Sequence, residues 1–168
     1  MDYGEYLSFL ELLAPQGGET PDQTQRRAHL LFGKRVEDSP FSLWQPGDPI
    51  DPSGLRILVG VADSYSSFDL LLLDALAQIY RESALAVSLL PKIDVFSVCD
   101  LELDDIARFV PRIGTAFETP IVGLWRRGSF TQGAWGLKSL EVLETAMGRS
   151  LPRPNRGEST FTIYKKHE

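Results

Sequence analysis

The sequence predicts an α/β fold whose sheet is built in the order β-α-β-α-β-β-α behind a helical extension. Three observations predict it. Leu55 to Ala62 is a continuous apolar run, the composition of a strand buried on both faces. Further along, Thr119-Pro120 is followed at once by Ile121-Val122-Gly123-Leu124-Trp125, so a loop proline opens a second buried strand. Between them lie a long amphipathic pattern, a third apolar run and a short helical pattern, the alternation that α/β folds require.

The elements follow in order. Tyr3, Tyr6, Leu7, Phe9, Leu10, Leu12 and Leu13 recur with helical spacing, and Pro15-Gln16-Gly17-Gly18 ends that run. Thr20 is placed as an N-cap with Pro21 at the first helical position, so a second helix is expected over 21–37, weakened by Gly33. Residues 38–54 carry Pro40, Pro46, Pro49 and Pro52, too many for a regular helix. Phe41, Leu43, Trp44 and Ile50 interrupt this stretch, which predicts an ordered connection packed down on the body. The strand over 55–62 is then followed by a helix from Asp69 to about Leu90, with Leu70, Leu73, Leu76, Ala77 and Tyr80 on one broad face and Pro91 beyond it. Ile93 to Cys99 reads as a strand, and Asp104 to Val110 as a short helix stopped by Pro111. After Pro120 to Trp125, Arg126-Arg127-Gly128 makes a hairpin turn and Ser129 to Ala134 its partner strand. Ser139 is placed to cap a last helix, Leu140 to Met147, which Gly148 ends. In the tail, Phe161-Thr162-Ile163-Tyr164 can form a short edge strand. The expected organisation is an extension over 1–54, a compact domain over 55–148 and a tail over 149–168.

Composition bounds the function. The chain has 168 residues, 43% hydrophobic and 24% charged, as in an ordinary soluble globular protein. Its net charge of -6 lacks the clustered basic face that nucleic-acid binding uses. The most apolar stretch, Phe68 to Ile79, is interrupted by Asp69, Asp74 and Gln78, so no membrane span is expected. No secretory leader is evident, and a cytoplasmic location is the expectation. The single cysteine, Cys99, excludes an intrachain disulfide and a Cys₄ or Cys₂His₂ zinc site. Beside Asp100 it reads as a buried structural residue rather than a reactive thiol. His29 and His167 are not placed for a Ser-His-Asp triad. Asp100, Glu102, Asp104 and Asp105 lack the glycine and terminal glutamate of a calcium loop, and acids favoured at a helix start explain them. No phosphate-binding glycine motif is present, and neither a cofactor nor a metal is expected.

The order of elements over 55–148, the corner Asp63-Ser64-Tyr65-Ser66-Ser67-Phe68, the turn Phe117-Glu118-Thr119-Pro120 and the glycines Gly128 and Gly133 together resemble the thioredoxin family. The resemblance covers a little over half of the chain. N-terminal helices and a last strand leading into Trp135-Gly136 are similar to a bacterial thioredoxin-like subfamily. The resemblance implies a three-layer sandwich and a cis bond at Thr119-Pro120; a trans proline opening a strand is the alternative. Where active members carry Cys-x-x-Cys, Tyr65 and Phe68 stand nearest the two cysteine positions, and Leu58, Val59 and Gly60 replace the strand that usually buries an acid. A thioredoxin dithiol depends on a thiolate at a helix start. Without it, dithiol oxidoreductase activity is not expected, and no catalytic residue is assigned.

What the resemblance implies is a non-catalytic protein that holds a partner protein or extended peptide segment, of chaperone or assembly-factor type. Its surface would comprise Ser64, Tyr65, Ser66, Phe68, Thr119, Pro120 and Trp135, with Tyr65, Phe68 and Trp135 as aromatic anchors. Two other readings stay open. One is a glutathione-like small-thiol enzyme using the same corner, with Tyr65 or Ser66 orienting the sulfur. The other is a homodimer or subunit in which Phe41, Trp44 or Phe161 fills the corner. Ser64, Ser66 and Ser67 could also offer an anion pocket at a helix start, against the simpler reading that Ser66 or Ser67 caps that helix.

Overall fold

A computed structural model describes residues 16–45, 48–50, 52–62, 67–83, 90–108, 110, 113–153 and 162–164. The helix expected over residues 3–13 lies outside these. Helix α1 spans Pro21–Glu37 and starts as its sequence dictates. The Thr20 hydroxyl accepts from the Gln23 amide at 3.2 Å, while the Gln23 side chain accepts from the Thr20 amide at 2.9 Å. This reciprocal box satisfies two amides that would otherwise lack partners within the helix.

The connection after α1 is packed down, as its apolar residues require. Phe41 and Trp44 are buried, and between them Ser42–Leu43 forms a two-residue strand, β1. The proline count conceals this strand because it falls in the gap between Pro40 and Pro46. Strand β2 (Leu55–Val61) follows, then helix α2 (Ser67–Glu82), strand β3 (Lys92–Ser97) and a short 3₁₀ turn over Val98–Asp100. Helix α2 begins two residues before the expected start, and residues 84–89 of the expected helix lie outside the described chain. Strand β3 stops short of Cys99 because the Ser97 hydroxyl accepts from the Cys99 amide at 3.3 Å, opening the turn. Cys99 is half-buried rather than enclosed.

Helix α3 is short, Leu103–Ala107, with Asp104 and Asp105 in its first turn, where the helix dipole favours acids. Strand β4 (Ala116–Glu118) was not anticipated; it leads into Thr119-Pro120 and strand β5 (Ile121–Arg126). Strand β6 (Ser129–Trp135) returns through Arg127 and Gly128, at φ 51° and 79°. Two positive φ values in succession suit the right-handed twist of a two-residue hairpin. Helix α4 (Lys138–Met147) ends at Gly148 in the left-handed conformation, φ 68°. Strand β7 (Thr162–Tyr164) is the edge strand expected in the tail.

The sheet is mixed, in the order β1-β3-β2-β5-β6. Strands β1, β3 and β2 run parallel, whereas β5 is antiparallel to β2 and to β6. Strand β7 pairs with β4, which among the described residues forms a separate two-stranded ribbon.

Alternation along β2 sorts the core into two halves. Ile57, Val59 and Val61 join α2, α4 and the α1 residues Phe32 and Val36 on one face. Leu58 and Ala62 join Phe96, Leu103, Ile106, Phe117 and Ile121 on the other. The result is three layers, with β2 buried on both sides as its apolar run predicts. Gly60 allows this closeness, since a Cβ there would meet Ile121 and Phe96 at 2.6 Å. Helix α1 belongs to the main core, and Arg35 Nη2 bonds both carboxylate oxygens of Asp74 on α2 at 2.7 Å. Arg56 and Asp94 form a second, largely buried ion pair between β2 and β3. Among the described residues no helix is long and apolar enough to cross a membrane.

Candidate functional site

The site is located by sheet register. Gly60 pairs with Ile121, and Ile121 pairs with Trp135. One row across β2, β5 and β6 therefore ends the sheet. The exit from β2 toward α2, the Thr119-Pro120 turn and the Trp135-Gly136 turn all emerge at that end. The sequence analysis chose these three segments for the recognition surface. Ser64, Tyr65 and Ser66, which form most of the first segment, lie outside the described residues.

The Thr119-Pro120 bond is cis. The Pro120 carbonyl is held from two sides, by the Gly136 amide at 2.9 Å and by the Ser139 hydroxyl at 2.8 Å. The Gly136 amide also donates to the Glu118 carbonyl at 3.0 Å. Gly136 has φ +64°, and a Cβ there would lie 2.7 Å from Glu118 Oε2, so glycine is required on both counts. These bonds lock the proline turn to the start of α4.

They also correct the role expected of Ser139. Helix α4 begins two residues earlier, its N-cap is Leu137 with no side-chain bond, and Ser139 is fully buried inside the first turn. Its hydroxyl serves the neighbouring turn instead of its own helix. A serine near a helix start cannot distinguish the two, because the same hydroxyl can accept from a helix amide as a cap or donate to a neighbouring carbonyl.

Phe68 is corrected as well. It was expected as a surface anchor, but its ring is fully buried in the core cluster that holds α2. Its place in the first turn of a helix packed on the sheet turns it inward. Thr119 is also fully buried, so its side chain faces protein. Trp135 stays at the surface, 42% exposed. Phe41 packs edge-on against Tyr80 at 5.2 Å, and Trp44 packs against Phe96 at 6.0 Å. Phe161 lies outside the described residues.

A groove of about 630 Å³ opens beside the proline turn, lined by Phe117, Glu118, Ala134, Trp135, Leu137 and Lys138. Leu137, 49% exposed, joins Trp135 to give it an apolar lip, while Glu118 and Lys138 supply one charge of each sign. The sequence analysis missed Leu137 and Lys138. The only signal was an apolar residue directly before a helix, where a polar cap is usual.

One further buried group lies near the exit from β2. Asp69, in the first turn of α2, is fully buried, and its Oδ2 accepts from the Ala62 amide at 2.9 Å. The carboxylate thereby ties the end of β2 to the start of α2. The sequence analysis found no acid in β2; the structure buries one from the helix side.

Among the described residues no group of three or more His, Cys, Asp or Glu gathers as a metal site. The arrangement combines exposed apolar side chains, a hydrogen-bonded turn and two opposite charges around a groove whose volume falls in the range of small-molecule pockets. Compared with protein-family models and with curated proteins, the chain matches none.

Proposed function

We propose that this chain is a redox-inactive, thioredoxin-like binding protein that holds an extended segment of a partner protein, as an assembly factor or chaperone does. The observation that carries the reading is the groove beside the cis Thr119-Pro120 turn, lipped by the exposed side chains of Trp135 and Leu137. Three others support it. The sheet order β3-β2-β5-β6, with β2 and β3 parallel and the rest antiparallel, is the order that a thioredoxin-like fold implies. The proline turn emerges at the same end of the sheet as the entry to α2. The chain's one cysteine, Cys99, follows β3 and is not at that entry, so no dithiol can form there.

Aromatic and aliphatic side chains left half in water are costly in isolation and are the usual anchors of a protein interface. Trp135 and Leu137 flank one turn and can grip alternate side chains of an extended segment, while Lys138 and Glu118 set its direction by charge.

The test is an array of ten-residue synthetic peptides rich in β-branched and aromatic residues, probed with wild type, Trp135→Ala and Leu137→Lys. Both side chains are exposed, so both variants keep the wild-type melting temperature. A subset of peptides bound by wild type and weakened at least about tenfold in each variant is the expected result, the loss of roughly one anchor. Peptide binding that neither variant alters, or no binding by wild type, overturns the reading.

A further inference from the structure

Strand β4 is the three-residue strand that runs directly into the Thr119-Pro120 turn, and all three of its residues line the groove. Its partner is not a strand of the main sheet. It is β7, drawn from far along the chain, in an antiparallel register that pairs Ala116 with Tyr164, Phe117 with Ile163 and Glu118 with Thr162. The strand that walls the proposed binding site therefore already carries an added extended segment, and that segment belongs to the chain itself.

We propose that the β4 edge is a strand-acceptor surface which β7 occupies in cis, and that an extended segment of a partner protein, uncharged and rich in hydroxyl, β-branched and aromatic residues like Thr162-Ile163-Tyr164, displaces β7 and takes its register. This deepens the reading above and rests on it for the identity of the occupant as a partner's segment. The pairing itself argues for the chemistry. Strand addition draws its affinity from main-chain hydrogen bonds and its selectivity from alternate side chains, and β7 is the segment seen to satisfy this edge. The size of the ribbon argues for exchange. It has three residue pairs and two strands, whereas stable ribbons in water need a third strand or a packed face. Phe117 of β4 packs into the second core cluster. Tethering supplies what the ladder lacks, since a tethered strand has an effective concentration on the order of millimolar. A partner must therefore outcompete β7, which keeps the surface covered until a better segment arrives.

The probe is a synthetic peptide carrying residues 159–168, titrated by fluorescence anisotropy against the full chain and against Ile163→Pro. Proline lacks the amide proton and cannot continue a ladder, so the substitution at the middle pair frees the β4 edge. The expected result is peptide binding to Ile163→Pro at least about tenfold tighter than to wild type, and none when the peptide itself carries the proline. Equal binding to both proteins, or no binding to a folded Ile163→Pro, overturns the proposal. Should that variant fail to fold, Tyr164→Pro, at the end of the ladder, is read the same way. Wild-type dimers that vanish in Ile163→Pro give the edge to a second copy of β7 and overturn the partner assignment. Because the readout is the β4 ladder alone, its failure leaves the Trp135 and Leu137 peptide test standing, and the converse also holds.

Discussion

At the scale of single residues, the site depends on one carbonyl. Pro120 oxygen accepts from the Gly136 amide and from the Ser139 hydroxyl, and neither donor can be replaced by water because Ser139 is fully buried. Ser139→Ala removes one donor but leaves the other, so the acceptor keeps a partner and the full penalty of an orphaned group does not arise. The expected loss is about 1 kcal/mol, the usual net worth of one buried hydrogen bond. It is read as a lower urea midpoint with an unchanged slope. A variant as stable as wild type would mean that the Ser139 bond contributes nothing to the turn. Glu118 and Gly136 show the same economy of space, since the tight contact over Gly136 leaves no room for a side chain.

At the scale of elements, α2 is fastened at both ends. Its start is tied to β2 through Asp69 and Ala62, and its last turns through Tyr80, whose hydroxyl donates to the Pro91 carbonyl at the entrance to β3. Burial pushes the Tyr80 phenol up from 10.0 to about 12. The folded state thus favours the protonated phenol more strongly than the unfolded chain does. With the folded pKa above the unfolded one, this contribution is complete below about pH 10 and is lost as pH rises through about 12. Wild-type stability should therefore decline across that window, and Tyr80→Phe, which cannot ionise, should lack this part of the decline. At neutral pH the variant should lose about 1 kcal/mol with the hydrogen bond. Parallel alkaline profiles for the two proteins would remove Tyr80 as the cause. Elements of this kind were legible where periodicity and capping agree: Thr20-Pro21, the apolar run over 55–62 and Gly148 each mark a boundary through local backbone chemistry. Strands β1 and β4 were not, because two or three residues carry no period and their pairing depends on segments distant in the chain. The same limit applied to the site. Proline, hairpin and the Trp135-Gly136 turn were readable as local chemistry, whereas the inward turn of Phe68 and the contact from Ser139 to Pro120 exist only once β5 and β6 bring α4 alongside.

At the scale of the whole molecule, stability and accessibility are unequally distributed along one sheet. Strand β2 has a hydrogen-bonded neighbour on each side and an apolar layer on each face, so its amides open only when both core halves separate. Strand β5 is likewise paired on both sides, with β2 and β6, while β3 is paired with β2 along its length and with β1 at Asp94 and Val95. The β4–β7 ribbon lies outside this sheet and is held by three pairs. Local opening costs less where few contacts must break, and a surface that exchanges its own strand for another must come from that low end. Native-state hydrogen exchange should therefore place the slowest amides in β2, β3 and β5, with opening free energies near the global value, about 5–15 kcal/mol for a domain. The ladder amides of β4 and β7 should exchange through a separate, much cheaper opening that denaturant scarcely affects, since little surface is exposed by releasing one short strand. If β7 instead exchanges together with β2, the ribbon is part of the cooperative core, and a partner could reach the β4 edge only by unfolding the protein that is meant to hold it.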